Sequence, residues 1–274
     1  MKPEDLEKNS TEHEETSRRL FLKTIGLAVS AAVLGEASVF VQDAFTSSPL
    51  EEKIEKEYGF GVIGNTSKQN VQQLYKTLKL CEKYWETFRK EARHIWFIDL
   101  KSSFWSYLHE FIGAAGGASF GTIMLDSIED ETLIHETAHI YHNALGTDRG
   151  VAFSKKWWQL ADMPYGSLVK KSSFITTEWK DNSVSLGKEG FMSPYGSTSL
   201  REDVATYQET LYVITRLIKQ LNKDNKFVDY NNIYSLFFQS DPKKDSRYRK
   251  KISLLKEYGF IGPNDFKLIQ PIFW

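Results

Sequence analysis

The chain has 274 residues but only one cysteine, Cys81, and only six histidines. A single cysteine excludes an internal disulfide and a cysteine-rich metal site. The formal net charge is −1, which gives no electrostatic reason to expect a nucleic-acid partner. Internal repeats and low-complexity tracts are also lacking. The length and the ordinary content of apolar and charged residues therefore predict one large globular domain or two small ones.

The apolar stretch from Ile25 to Gly35 is too short to span a bilayer comfortably, because a spanning helix needs about 20 apolar residues. It follows the heptad Ser17-Arg18-Arg19-Leu20-Phe21-Leu22-Lys23, which resembles the twin-arginine consensus at every defined position. A charged region, a short apolar region and small residues in this order are typical of a signal peptide. Residues 1–44 are thus predicted to be an export signal, and residues 45–274 a single domain.

The twin-arginine resemblance implies contact with that export machinery and a periplasmic or extracellular location. Proteins of this pathway cross the membrane folded, so a metal site could be filled before export. Two alternatives stay open. The segment could instead be a basic patch before an N-terminal anchor helix, or a signal that is retained, since the small-residue sites at Gly35-Glu36-Ala37 and near Ala44 are weak. In either case only this segment would contact a membrane.

Apolar residues at alternating steps of three and four predict an amphipathic helix over 70–89. Short apolar runs predict strands, and further periodic segments predict helices. The predicted strands lie at 59–64, 95–98 and 122–125, and the predicted helices at 130–145, 199–221 and 247–258. The segment 147–192 is expected to be rich in loops, with Trp157 and Trp158 either in the core or lining a substrate pocket.

Two of the six histidines stand in the run His135-Glu136-Thr137-Ala138-His139. On a helix the two imidazoles lie one turn apart on the same face, an arrangement that suits two nitrogen ligands of zinc. Glu136 lies one step around the helix, so it cannot easily join them as a ligand but can take a proton from zinc-bound water. His142 continues the same face and is a candidate additional ligand. The alternative is a surface helix with two incidental histidines.

A catalytic zinc site needs three protein ligands and one open position. No histidine lies downstream of His142, so a carboxylate on a later helix is the natural third ligand. Positions 142 and 145 hold His and Leu, which excludes the longer metzincin signature. The carboxylate candidates are Glu178, Glu189, Glu202, Asp203 and Glu209. The last three lie on the predicted helix 199–221. Glu202 also fits a capping box with Ser199, in which its side chain would reach back to a backbone N–H.

Tyr195-Gly196, followed seven residues after the tyrosine by Glu202, resembles the second motif of the anthrax lethal factor-like metallopeptidases. This gluzincin group includes the Pro-Pro endopeptidases. The resemblance implies that Glu202 is the third zinc ligand and that Tyr195 stabilises the transition-state oxyanion. It also implies an α+β, zincin-like fold, with a small mixed sheet whose edge strand lies beside the active-site helix and a mainly helical C-terminal part. Two departures are Thr206, where the family often has Glu, and a longer spacing between the motifs.

The residues of the motif predict zinc hydrolase chemistry, and the resemblance implies an exported zinc metallopeptidase in which His135, His139 and Glu202 bind one zinc ion. Glu136 would act as general base and then as general acid. The glycine-rich segment 113–125 is expected to be the edge along which a peptide substrate adds as a further strand.

Asp203 and Thr206 are candidates for orienting a ligand imidazole. Asp203 or Glu209 in place of Glu202 as the third ligand stays open. Two other functions also stay open: a zinc hydrolase acting on a non-protein amide or a cell-wall peptide, and a catalytically inactive binding module with a zincin fold.

Overall fold

The protein is described by a computed structural model over residues 48–59, 61–64, 67–85, 94–97, 116–119, 122–125, 129–171, 177–180 and 186–274. The residues from Pro49 to Trp274 form one compact unit. Across these described ranges, no helix is both long enough and apolar enough to cross a membrane. The predicted export signal at residues 1–44 lies outside the described residues.

Four short strands form a sheet in the order β1-β2-β4-β3. The strands are β1 (Gly61–Gly64), β2 (His94–Phe97), β3 (Gly116–Ser119) and β4 (Thr122–Leu125). Strands β1, β2 and β4 run parallel, whereas β3 pairs antiparallel with β4. Strand β3 therefore lies at one edge of the sheet. A separate antiparallel pair consists of β5 (Val169–Lys171) and β6 (Thr177–Trp179).

Two helices pack against the sheet, and a third packs against both of them. Helix α1 (Pro49–Tyr58) packs against β1 and α2, and α2 (Lys68–Trp85) buries Val71, Leu74 and Leu78, as the apolar period predicts. Helix α3 (Asp130–Ala144) lies against β3 and β4. It ends where predicted, because Gly146 adopts a left-handed backbone with φ of 75° that an L side chain would strain.

Helix α4 (Gly146–Gln159) follows α3 directly. The prediction of a loop-rich segment over 147–192 is therefore wrong for its first part. The helix buries Phe153 and Trp157, which are spaced one turn apart, whereas Trp158 is 49% exposed. Tertiary burial of these two rings outweighs the weak helix propensity of the Gly-Thr-Asp-Arg-Gly start. Trp157 is a core residue and does not line a surface pocket.

The C-terminal part is helical, as predicted. It comprises α5 (Leu200–Lys223), α6 (Tyr230–Phe237), α7 (Ser246–Glu257) and α8 (Pro263–Phe273). Helix α8 packs against the other three and buries Ile269, Ile272 and Phe273 in the main core. Helices α6 and α8 were not predicted. The main consequence for function is the position of α5, which packs along α3.

Candidate metal centre

Helices α3 and α5 are joined near the start of α3 by charged side chains. The Arg216 guanidinium donates hydrogen bonds to the carboxylates of Asp130 and Glu131, the second at 2.9 Å. The Tyr212 hydroxyl donates to Asp130 at 2.8 Å. Because the first turn of α3 contacts the later turns of α5, the two helices run antiparallel. The later turns of α3 therefore lie opposite the first turn of α5.

His135, His139 and Glu202 meet where the later turns of α3 lie opposite the first turn of α5. His135 Nε2 lies 3.0 Å from Glu202 Oε2, and His139 Nε2 lies 3.4 Å from the same oxygen. One nitrogen or oxygen atom from each of the three residues lies within 4.8 Å of the other two. Both imidazoles are buried and Glu202 is partly buried. The three side chains form a group that could hold a metal ion.

The charges around His135 favour a cation at this point. Burial alone would lower the pKa of His135, but its hydrogen bonds with Glu202 and Glu209 raise that pKa to about 10. Burial would raise the pKa of Glu202, yet its hydrogen bonds with His135 and His139 hold that pKa well below its usual range. The same carboxylates that stabilise a proton on His135 would stabilise a metal ion in its place.

Metal affinity is expected to rise with pH, because a metal ion must displace the proton from His135 Nε2. The raised pKa of His135, about 10, means that the metal-free chain carries this proton at neutral pH. Release of one proton per ion predicts an affinity that rises up to about tenfold per pH unit. The folding stability of the metal-free chain should fall as pH rises, because a histidine whose pKa is raised in the folded state contributes stability only while it is protonated. Competition with a chelating dye at several pH values measures the first effect, and a flat profile would contradict it.

Glu136 lies beside the group and is 6% exposed. Burial raises the pKa of its carboxyl, while the charges of His139 and His135 act in the opposite direction. A buried carboxylate with a raised pKa is a better proton acceptor than an exposed one. The side chain therefore has the environment of a general base.

Tyr195 lies beside His135, and its ring centre is 5.8 Å from that of His135. It precedes a short 3₁₀ turn, Gly196–Thr198, in which Ser193 Oγ accepts a hydrogen bond from Gly196 N at 3.1 Å. A Cβ added at Gly196 would collide with Thr206 Oγ1, so a larger residue would force the turn or the Thr206 side chain to shift. Tyr195 is 43% exposed, but desolvation of its hydroxyl beside His135 and the carboxylates of Glu202 and Glu136 raise the pKa of Tyr195. Its hydroxyl thus stays protonated at neutral pH and remains able to donate.

The two roles predicted for Glu202 are divided between its backbone and its side chain. Ser199 is the N-cap of α5, and its hydroxyl accepts a hydrogen bond from the Glu202 backbone N–H at 3.3 Å. This is one half of a capping box. The Glu202 carboxylate turns towards His135 and His139, where its hydrogen bonds lie.

Asp203 lies on another side of α5 and is fully buried. Its Oδ2 accepts hydrogen bonds from Lys251 Nζ at 2.6 Å, Trp157 Nε1 at 2.8 Å and the Tyr165 hydroxyl at 2.8 Å. Burial raises the pKa of Asp203 and lowers the pKa of Lys251. Asp203 thus anchors α5 to three other segments. Lys251 was not predicted, because nothing distinguishes it from its neighbours in the basic run 247–251.

The remaining candidates lie outside the group. Glu209 contacts His135 through Nδ1, at 3.0 Å, which is the ring nitrogen opposite to the one facing Glu202. Glu189 binds Arg247 at 2.7 Å, and the side chain of Glu178 lies outside the described residues. His142 Nε2 lies 3.1 Å from Ser154 Oγ, and burial lowers the pKa of His142 to about 4.

The predicted orienting roles of Asp203 and Thr206 find no support in their contacts. Thr206 Oγ1 donates to the Asp203 backbone carbonyl at 3.1 Å. Among the hydrogen bonds of the described residues, neither side chain contacts His135 or His139. Glu209 makes such a contact, and its spacing of seven from Glu202 was the available sequence signal, because residues seven apart share a helix face.

The chain matches no protein-family model, no curated protein and no solved structure. A functional assignment therefore depends on the geometry and chemistry of the residues described above.

Proposed function

We propose that the protein is a zinc-dependent metallopeptidase of the gluzincin type, which cleaves peptide bonds with water activated by Glu136. The observation that carries this proposal is the convergence of His135, His139 and Glu202 next to a buried glutamate. A purely structural metal site has no use for an additional carboxylate outside the ligand set with a raised pKa.

The donor set supports zinc as the metal. Two imidazole nitrogens and one carboxylate oxygen, with one position left open, are characteristic of catalytic zinc sites. A tetrahedral site with bonds of about 2.0–2.1 Å separates its ligand atoms by roughly 3.3 Å. The observed separations of 3.0 Å for His135 and 3.4 Å for His139 from Glu202 Oε2 are close to this value.

A bound zinc ion would polarise the scissile carbonyl and lower the pKa of water to about 7. Glu136 accepts the proton of the attacking water and then donates it to the leaving amine nitrogen, so that no proton is gained or lost overall. The Tyr195 hydroxyl donates a hydrogen bond to the carbonyl oxygen as negative charge develops there, which typically contributes a few kcal/mol.

We further propose a zincin-like arrangement for substrate binding. Strand β3 is an edge strand, and α3, which carries the metal-binding histidines, lies against it. An extended peptide could add to this edge through backbone hydrogen bonds and pass beside Glu136. With the twin-arginine resemblance of residues 17–23, the proposed location is periplasmic or extracellular.

Incubation of the purified chain with a peptide library is the direct test. We expect cleavage that a chelator abolishes and that stoichiometric zinc restores, with mass spectrometry to identify the products. Hydrolysis of cell-wall peptides or non-protein amides alone would favour the alternative hydrolase. Tight zinc binding without hydrolysis of any substrate class would favour an inactive binding module.

A further inference from the structure

We propose that Glu209 is a positioning residue that holds the imidazole of His135 in the orientation needed for metal binding. The inference rests on the proposed zinc site. Glu209 Oε2 lies 3.0 Å from His135 Nδ1, while Glu202 Oε2 lies 3.0 Å from Nε2 of the same ring. Each ring nitrogen of His135 therefore faces its own carboxylate, and the two contacts together fix the orientation of the ring.

The chemistry of the ring explains why both contacts are needed. A neutral imidazole carries one N–H, and a metal can bind only the other nitrogen. A carboxylate at Nδ1 accepts the proton there, which leaves the lone pair of Nε2 facing Glu202 and the site. It also increases the electron density on Nε2, so the nitrogen becomes a stronger ligand.

The packing of α5 on α3 delivers this contact. Glu202, Glu209 and Arg216 are spaced by seven residues, so they share one face of α5. The Arg216 pairs with Asp130 and Glu131 fix the register of the two helices two turns beyond Glu209. Sliding α5 by one turn would break the Arg216 pairs and the Glu209 contact together.

The two proposed metal-binding histidines differ in the hydrogen-bond partners of their ring nitrogens. His139 Nδ1 is buried and has no hydrogen-bond partner in the part of the chain that the structure describes. Of the two, His135 alone has a carboxylate at both ring nitrogens among the described residues. Loss of Glu209 should therefore change the ring of His135 and leave the ring of His139 unaffected.

Three variants of the full-length chain test the role: Glu209→Ala, Glu209→Gln and Glu202→Ala. Loss of a hydrogen-bond partner of a ligand typically weakens metal binding by roughly 10–100-fold. We expect Glu209→Ala to show a loss of this size in zinc affinity, measured by chelator competition, with one ion still bound. Glu209→Gln should recover most of the affinity, because its amide oxygen can accept the Nδ1 proton. Glu202→Ala should reduce zinc affinity much more than either Glu209 variant does, because it removes a ligand.

Glu257→Ala is the matched control, since it removes an exposed carboxylate that pairs only with Lys156 at 2.7 Å among the contacts described. It should leave zinc affinity unchanged. Unchanged affinity in Glu209→Ala would overturn the positioning role, even if its melting temperature fell. A loss equal to that of Glu202→Ala would also overturn it, because Glu209 would then be a ligand.

A metal-free measurement separates this inference from the proposed function. In ¹⁵N spectra of the histidine rings, His135 should show a slowly exchanging Nδ1 proton in the metal-free wild type, and Glu209→Ala should lose it. If the wild type bound no zinc but kept this proton, the proposed function would fail while the contact stood. If zinc bound tightly in the wild type and in both Glu209 variants and the proton were absent, only the positioning role would fail.

Discussion

Replacement of Glu136 by glutamine should lower kcat/KM for peptide hydrolysis by about 10²–10⁴-fold, the range that general acid–base catalysis contributes. The amide has nearly the same shape as the carboxylate but cannot accept a proton from water. Glu136 is not among the three residues that could hold the metal, so zinc binding should be retained. Cleavage assays on a peptide selected from the library, with elemental analysis of bound zinc, measure both quantities on one sample.

Glu129→Gln is the matched control for this change. Glu129 is exposed, lies just before α3 and makes no side-chain capping hydrogen bond. The same chemical substitution at this position should leave activity intact. Activity that survives in Glu136→Gln would show that another group takes the proton, and the proposed mechanism would be wrong. Loss of zinc together with activity would leave the base unassigned and would instead make Glu136 part of the metal site.

Replacement of Lys251 by methionine should lower the free energy of unfolding by about 3–5 kcal/mol, the cost of breaking a buried ion pair by removing one partner. Lys251 Nζ lies 2.6 Å from Asp203 Oδ2, and both side chains are fully buried. Without the ammonium group, Asp203 keeps its hydrogen bonds from Trp157 and Tyr165 but loses its counter-charge. Urea unfolding of the metal-free chain at neutral pH measures the difference.

The pH dependence and two further variants test the cause. Burial raises the pKa of Asp203 in the folded chain, so loss of Lys251 should matter less as pH falls and the carboxyl gains a proton. The double variant Asp203→Asn, Lys251→Met should recover most of the stability, because no unpaired charge remains. Lys250→Met changes an exposed neighbour and should stay within about 0.5 kcal/mol of wild type. A neutral effect of Lys251→Met alone would show that the pair does not stabilise the fold.

Local patterns accounted for the parts of the site that depend on one helix. The spacing of His135 and His139 places both imidazoles on one face of α3 whatever surrounds the helix. Gly146 marks the end of α3 for an equally local reason, its positive φ. Which carboxylate of α5 meets these imidazoles depends on the face that α5 turns towards α3. The helical pattern left Asp203 and Glu209 open beside Glu202, and the resemblance around Tyr195 implied Glu202.

Features that depend on distant partners were missed. A lysine is normally exposed, and the burial of Lys251 becomes favourable only because Asp203 of another helix lies opposite it. Helix α8 begins at Pro263 and contains Pro271 in its last turn, and proline lowers the helical signal of a sequence. Its burial against α5 and α7 compensates for this cost. Tertiary packing therefore determines these elements more than local propensity does.

The separation of Glu202 from His135 along the chain has a further consequence for folding. The two residues are 67 positions apart, and an ion bound to both would close a loop of that length. By the chain-entropy relation for covalent cross-links, closing such a loop destabilises the unfolded state by about 4 kcal/mol. A chain with one cysteine cannot gain this stabilisation from an internal disulfide. In the proposed site, the catalytic ion would therefore also serve as the cross-link of the domain.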